Sequence, residues 1–256
     1  MEDVLRAASR AVAIDPDLLS AAVNKITLDT NVGRLVEAFQ AAVELVRRRP
    51  SSAQAHFARG YVLRYGGAVQ ESARECLLAR SLDPDPILFS CYWTFLHLGD
   101  YEQAEAFARL GASRSPQLVA SVIADIRTRK GDRAGARAAM IEVHDELTGA
   151  SLQRSCLQDP KPADIATLVE RNEQEGARQL DSESQYWYGA LFADCGFEDA
   201  AFRFLARSLD GGYCSFPALD SDRLWDSVRT RPAFLELRAR ARECRDRFLA
   251  ATGVGR

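Results

Sequence analysis

Lysine and histidine are scarce in this sequence of 256 residues. Lysine occurs three times, whereas 30 of the 33 basic residues are arginine, which we interpret as the codon bias of a GC-rich bacterial genome. The three histidines, His56, His97 and His144, are too widely spaced to predict a metal cluster or a Ser/His/Asp triad. The GxxxxGK, GxSxG, HExxH and EF-hand motifs are also absent. We therefore expect no catalytic activity, no metal and no cofactor.

Long apolar runs and a large excess of one charge are missing as well. No run approaches the roughly 20 residues that span a bilayer, and the N-terminus lacks the charged and then apolar layout of a secretion signal. The net charge of −3 provides no general attraction for nucleic acid or for an anionic membrane. These absences predict a cytoplasmic protein that does not associate with membranes.

Cysteine is present, but no two cysteines form a CxxC pair, and several lie in apolar helical settings such as ECLLA. Reduced cysteine is common in protein cores, whereas disulfides are characteristic of oxidising compartments. We therefore favour reduced core cysteines over disulfides or metal ligands for the six cysteines: Cys76, Cys91, Cys156, Cys195, Cys214 and Cys244.

A regular series of glycines and prolines is the main feature that the sequence does contain. The glycines follow one another at intervals of 34, 32 and 32 residues: Gly33, Gly67, Gly99 and Gly131. The prolines recur in the same phase: Pro16, Pro50, Pro84 and Pro116. Glycine permits a positive φ at a helix end, and proline cannot continue a helix. Each unit is therefore predicted to be a helix, a turn, a second helix and a stop.

The second unit shows this pattern most clearly, with helices predicted over 53–65 and 69–82. Asp100 and Asp132 directly follow the glycines of the next two units and are predicted to cap second helices. The second helix of each of the first four units has a small residue at the same place, where two helices must approach closely: Ala38, Ser72, Ala104 and Ala136.

The same step of 32 residues predicts the extent of the array. It passes through Ala163 and reaches Cys195, next to Gly196, which indicates a degenerate fifth unit and a better formed sixth. The predicted array covers 1–210, divided into a partial repeat at 1–16 and units at 17–50, 51–84, 85–116, 117–148, 149–180 and 181–210. Residues 211–256 are predicted to form a loop and capping helices over the open end of the stack. Because the chain begins in mid-repeat, we also expect it to be part of a longer protein.

This layout resembles the tetratricopeptide repeat family. The match is strongest in the second unit: Gly60, Leu63, Gly67, Ala79, Leu82, Asp83 and Pro84. In the third unit, Tyr92 stands where the family has a small residue. The resemblance implies an all-α, right-handed superhelical solenoid with a C-terminal capping helix, and a concave groove that binds peptides or partner proteins. The stretch 213–241 is similar to the ends of such arrays in bacterial regulators with winged-helix, cyclase or Ser/Thr kinase domains.

Equivalent places on the first helices define one surface, which we call the groove stripe. Its members in the first four units are Val23, Thr27 and Asn31; Phe57, Tyr61 and Tyr65; Phe89, Trp93 and His97; and Ser121, Asp125 and Arg129. By the family geometry this stripe faces the groove, and aromatic residues are frequent interface anchors. We predict a peptide-binding patch made of Phe57, Tyr61, Arg64, Tyr65, Phe89, Trp93, His97, Asp125 and Arg129. The alternative is that these side chains pack as core between the first helices.

The patch favours a peptide or a protein as partner, and a relatively apolar one. Chaperone-tail binding is not expected, because Asn24 and Arg129 are too far apart in the array to clamp one carboxylate. Direct nucleic-acid binding is disfavoured, because acidic residues interleave the arginines of the last helix. A regulatory domain that senses a small ligand or an intramolecular segment is the main alternative to a partner scaffold.

Overall fold

The structure is a computed structural model that describes residues 2–15, 17–84, 86–113, 115–147, 149–159 and 161–255. Every regular element within these ranges is helical, and 78% of the protein is helix. None of the helices in the described ranges is at once long enough and apolar enough to cross a bilayer. Pro16, the first proline of the series, lies outside the described residues, as do Asp85 and Thr148 at predicted unit boundaries.

The N-terminal half begins with one helix, followed by two regular helix pairs. These are α1 (Glu2–Ile14), then α2 (Leu19–Asn31) with α3 (Leu35–Arg48), and α4 (Ala53–Tyr65) with α5 (Val69–Leu82). The predicted bounds of both helices in the second unit, 53–65 and 69–82, are confirmed. Ser52 begins α4 by accepting a hydrogen bond from the Ala55 backbone N–H, which satisfies one of the free donors at the helix start.

The third and fourth units are less regular. The first helix of unit three begins as a 3₁₀ segment, Pro86–Cys91, and continues as α6 (Tyr92–His97); its partner is α7 (Tyr101–Ala108). Unit four consists of α8 (Pro116–Lys130) and α9 (Arg133–Ala139). The two predicted caps are confirmed, since Asp100 accepts from the Gln103 N–H and Asp132 from the Gly135 N–H.

The C-terminal half contains two further helix pairs, and then an ending made of a short helix, a 3₁₀ segment and a long helix. The pairs are α10 (Ala150–Cys156) with α11 (Ile165–Gly176), and α12 (Ser182–Cys195) with α13 (Glu198–Asp210). The ending contains α14 (Phe216–Ser221), a 3₁₀ segment (Arg223–Val228) and α15 (Pro232–Thr252).

The repeated glycines and small residues have the roles that the periodicity predicts. The turn glycines have positive φ in five units: Gly33 (80°), Gly67 (78°), Gly99 (73°), Gly131 (89°) and Gly196 (88°). The small residues of the second helices are fully buried, each with 0% exposure: Ala38, Ser72, Ala104 and Ala136. Any larger side chain at these four places would separate the two helices of its unit.

The two ends of the array meet, so the solenoid closes on itself. A Cβ placed on Gly33 of unit one would lie 3.1 Å from the carbonyl oxygen of Gly211, which follows unit six. Helix α15 packs on α13 and also on α3, where the Phe248 ring meets Phe39 with 5.8 Å between ring centroids. The C-terminal helix therefore joins the sixth unit to the first in addition to covering the last helix pair.

The prediction of reduced cysteines was wrong. The six cysteines form three disulfides, Cys76–Cys91, Cys156–Cys195 and Cys214–Cys244, with Cα–Cα distances of 6.0, 5.1 and 5.2 Å. No cysteine in the described part of the chain is free. The partners are 15, 39 and 30 residues apart, and helix packing brings them side by side. The spacing of cysteines along the sequence does not indicate pairs that form only when distant helices pack together.

Replacement of Gly67 by alanine tests the closure of the array, with Gly99 as a matched control. Both glycines have the same left-handed conformation, but a Cβ on Gly67 would lie 2.5 Å from the Cys214 carbonyl oxygen, whereas one on Gly99 meets nothing within 4 Å. We expect G99A to lose about 1–2 kcal/mol of unfolding free energy for its positive φ alone. G67A should lose about 1–3 kcal/mol more, because the Cys214 backbone must move. Urea unfolding measures both, and equal losses would contradict the closure.

Candidate functional site

The structure divides the groove stripe into two parts. Residues at the first two places of the first helices in units one to four line two cavities. Residues at the third place in units two to four, Tyr65, His97 and Arg129, are 0%, 3% and 1% exposed. They lie beneath residues that follow Gln179 in the sequence. The predicted patch is therefore part groove and part core.

The first cavity, which we call the N-terminal cavity, has a volume of about 430 Å³. It contains three of the predicted site residues together with polar residues of α2, and its lining includes Thr27, Asn31, Phe57, Tyr61, Phe89 and Leu118. The Tyr61 hydroxyl donates a hydrogen bond to Asn31 Oδ1 at 2.7 Å. Tyr61 and Phe89 are only partly buried, so their rings are available to a ligand.

The second cavity, which we call the central cavity, lies between α8 and α12 and has a volume of about 320 Å³. Two predicted site residues, Trp93 and Asp125, line it, and it also includes Tyr92, Leu118, Trp187 and Tyr188. Leu118 lines both cavities and is 38% exposed. The two cavities therefore adjoin, with Leu118 at the boundary between them.

Arg64 is not available to a ligand, because α12 covers it. Its guanidinium donates two hydrogen bonds to Glu183, from Nε to Oε1 at 2.7 Å and from Nη2 to Oε2 at 2.9 Å. It also donates to the carbonyl and hydroxyl oxygens of Ser90, each at 2.9 Å. A bidentate pair of this kind is both strong and geometrically specific. Arg64 therefore anchors α12 onto α4 and onto the start of unit three.

Further hydrogen bonds to acidic groups surround this pair. The Tyr65 hydroxyl donates to Asp181, and the Tyr213 hydroxyl donates to Glu183 Oε1 at 3.1 Å. Burial raises the pKa of Glu183 to about 7, with Asp181 acting in the same direction and Arg64 in the opposite one. The interior between α4 and α12 is thus a polar cluster whose members satisfy one another.

His97 connects the third unit to the C-terminal segment. Its Nε2 lies 3.3 Å from the Tyr213 hydroxyl and its Nδ1 lies 3.4 Å from Ser215 Oγ, while Ser221 Oγ donates to its backbone carbonyl at 2.8 Å. Burial lowers the pKa of His97 well below its usual value, and the nearby arginines Arg64 and Arg129 lower it further. The imidazole is therefore neutral at neutral pH and has a packing role.

Arg129 lies between two buried carboxylates, Asp125 on its own helix and Asp222 of the C-terminal segment. The distance from Arg129 Nε to Asp222 Oδ2 is 3.0 Å, although the guanidinium N–H groups are not aligned for hydrogen bonding. Asp222 also accepts from the Tyr186 hydroxyl at 2.9 Å, and Trp225 Nε1 donates to that hydroxyl at 3.1 Å. Burial raises the pKa of Asp125, against the opposing effect of Arg129.

Sequence reasoning missed the residues that α12 contributes. Glu183 pairs with Arg64 inside the array, and Trp187 and Tyr188 form a wall of the central cavity. Their local signal was present, because α12 is the aromatic first helix of a well-formed unit. The contact between units two and six depends on the curvature of the array, which no local pattern reports. Among the described residues, no group of three or more His, Cys, Asp or Glu side chains is arranged to hold a metal ion.

Comparison with known proteins shows a likeness in fold. No family model matches the sequence, and no curated protein sequence matches it. A chain in the crystal structure of the APC/C hetero-tetramer Cut9-Hcn1 matches with a TM-score of 0.60 and 15% sequence identity, over 93% of this chain and 52% of that chain. Cut9 is a tetratricopeptide repeat protein. This chain covers about half the length of that structural neighbour. The chain thus has an all-α helical-repeat fold like that of a tetratricopeptide solenoid.

Proposed function

We propose that this chain is a non-catalytic interaction module that binds a peptide segment of a partner protein in the groove formed by the two cavities. The observation that carries this proposal is that the two cavities adjoin at Leu118, with partly exposed aromatic rings on either side of it. Apolar and aromatic walls with a few polar groups are typical of ligand sites. The aromatic rings provide large contact areas at a small loss of side-chain entropy.

The groove is supported by a rigid framework, which favours binding. The pairs Arg64–Glu183 and Arg129–Asp222 hold its walls together from the inside. A site that is already shaped before the ligand arrives loses little conformational entropy on binding. The same residues that proved to be buried therefore contribute to recognition by positioning the residues that line the groove.

A sensor of a small ligand is the second candidate, because the central cavity of about 320 Å³ falls within the size range of small-molecule sites. In either case, we propose that the module serves a larger bacterial regulatory protein, because 213–241 is similar to the ends of regulator arrays.

The three disulfides favour an oxidising compartment over the expected cytoplasm.

A peptide-display library selected on the full chain tests the proposed groove. Selected peptides are then measured by fluorescence anisotropy against Leu118→Arg, which places a charge where the two cavities meet. Leu78→Arg is the matched control, because Leu78 is similarly exposed at 42% and lines neither cavity.

We expect the selected peptides to bind L118R at least about tenfold more weakly than the wild type, through loss of apolar contact at the centre of the groove. Binding to L78R should be unchanged. Peptides that bind L118R as tightly as the wild type would show that the groove is not the binding site.

A further inference from the structure

The three disulfides differ in their exposure to solvent. Five of the six cysteines are buried, at 0–3% exposed: Cys76, Cys91, Cys156, Cys195 and Cys214. Cys244 of α15 is the one cysteine that is partly exposed. Reduction of a disulfide begins when a thiolate attacks one of its sulfurs, so the rate depends on access to that sulfur. In the folded chain, the Cys214–Cys244 bond is therefore the disulfide that a reductant reaches most readily.

The buried end of this bond lies where the C-terminal segment meets unit two. The Cys214 backbone N–H donates a hydrogen bond to the carbonyl oxygen of Tyr65, the last residue of α4, at 2.7 Å. The preceding residue, Tyr213, donates to the buried Glu183 of α12. Cys214 is thus held against α4 and α12 by hydrogen bonds that do not involve α15.

The N-terminal half of α15 is attached to the C-terminal elements of the array. The Phe234 ring packs on Trp225 with 5.6 Å between ring centroids. Arg240 donates a hydrogen bond to Asp210 at the end of α13, at 2.6 Å. These contacts connect this half of the helix to unit six and to the segment that follows it, and they do not depend on the disulfide.

The C-terminal half of α15 contacts units one and two instead. The Phe248 ring packs against Gly66, where any Cβ would collide with it. Arg245 Nε donates to the Gly67 carbonyl oxygen at 3.1 Å. Cys244 begins this half, so the disulfide fastens it covalently at the point where the two ends of the array meet. The attachment depends on these few side chains and on that bond.

We propose that the Cys214–Cys244 disulfide is a redox latch that keeps the array closed. One thiolate of a dithiol reductant attacks Cys244 Sγ and forms a mixed disulfide, and Cys214 leaves as a thiolate that takes up a proton. The second thiol of the reductant then displaces Cys244, so that both cysteines become thiols and the reductant becomes a cyclic disulfide. The C-terminal half of α15 then separates from units one and two, while the other two disulfides stay intact. This inference does not depend on the proposed groove.

Limited reduction tests the order in which the three bonds open. The folded chain is treated with dithiothreitol at mildly alkaline pH for increasing times, new thiols are blocked with N-ethylmaleimide, and the labelled peptides are identified by mass. We expect Cys214 and Cys244 to be labelled at least about tenfold faster than the other four cysteines. Equal rates for the three bonds, or earlier labelling of another pair, would overturn the latch.

A monothiol identifies the sulfur that is attacked first. After brief treatment with 2-mercaptoethanol and an acid quench, the adduct marks the attacked cysteine and its partner is recovered as a free thiol. We expect the adduct on Cys244, because Cys214 is only 2% exposed. An adduct found mainly on Cys214 would contradict the route of attack.

Hydrogen exchange tests what the bond holds in place. In C214A/C244A we expect exchange at least about tenfold faster over 244–252 and in α3, which packs on α15, with α13 unchanged. C76A/C91A is the matched control, because it removes a disulfide that does not contact α15 and should leave the exchange of that helix unchanged. If C214A/C244A does not fold, the wild type reduced and blocked at this one bond provides the same comparison. Unchanged exchange over 244–252 would show that packing alone keeps the array closed and would overturn the proposal.

Discussion

Replacing Arg64 with methionine is expected to lower the free energy of unfolding by about 3–5 kcal/mol. Arg64 is fully buried, and the side chain of Glu183 that it pairs with is 5% exposed. Without the guanidinium, the pKa of Glu183 would rise further, and its carboxyl group would stay buried with the Tyr213 hydroxyl as its remaining side-chain donor among the described residues. The contact between α4 and α12 would weaken, and with it the closure of the array.

The double variant R64M/E183L separates the effect of the ion pair on stability from the effect of each side chain alone. A buried ion pair replaced by apolar side chains of similar volume is often close to neutral in stability, because the desolvation of both charges is avoided. We therefore expect the second substitution to recover most of the loss caused by the first. Urea unfolding of the wild type, both single variants and the double variant provides the complete cycle.

Arg231→Met is the matched control for this cycle. Arg231 pairs with Glu198 at 2.8 Å, but the two side chains are 55% and 35% exposed. Exposed pairs of this kind contribute about 0–1 kcal/mol. If R64M lost no more stability than R231M, or if E183L added to the loss caused by R64M, the buried pair would not be the anchor that the structure indicates.

The helix pairs could be predicted because their signals are local. The turn at Gly66 and Gly67 and the stop at Pro84 limit the possible helices of unit two to the bounds that α4 and α5 have. A positive φ at Gly67 is a requirement of a single residue, which the residue type reports directly. Capping by Asp100 depends on a backbone N–H only three residues away, so it can also be predicted from the sequence.

The contents of the groove could be predicted only in part, because they depend on contacts between distant units. The repeat period shows which side chains share one face of the first helices, but not what covers that face. Arg64 and Glu183 are 119 residues apart, and His97 and Tyr213 are 116 residues apart. Only the curvature of the whole array determines that these residues meet. The sequence therefore left open whether the stripe is groove or core, and the residues at its third place in units two to four are buried.

Removal of the disulfide Cys156–Cys195 is expected to have a comparably large effect. It closes a loop of 39 residues and joins α12 to α10, a helix of only seven residues. A cross-link over a loop of this length stabilises a protein by about 4 kcal/mol, chiefly by restricting the unfolded chain. We expect C156A/C195A to lose about this amount in urea unfolding at constant pH.

The control for this variant is C76A/C91A, in which the loop has only 15 residues and the predicted loss is about 3 kcal/mol. Because the disulfide ties α10 directly to α12, the loss in C156A/C195A should also appear as faster hydrogen exchange in α10 and in α11, which packs beside it. Alkylation of the unfolded, unreduced protein followed by mass measurement tests the premise. Six alkylated cysteines would restore the expectation of reduced thiols, whereas none before reduction and six after it would establish that the three cross-links hold the array.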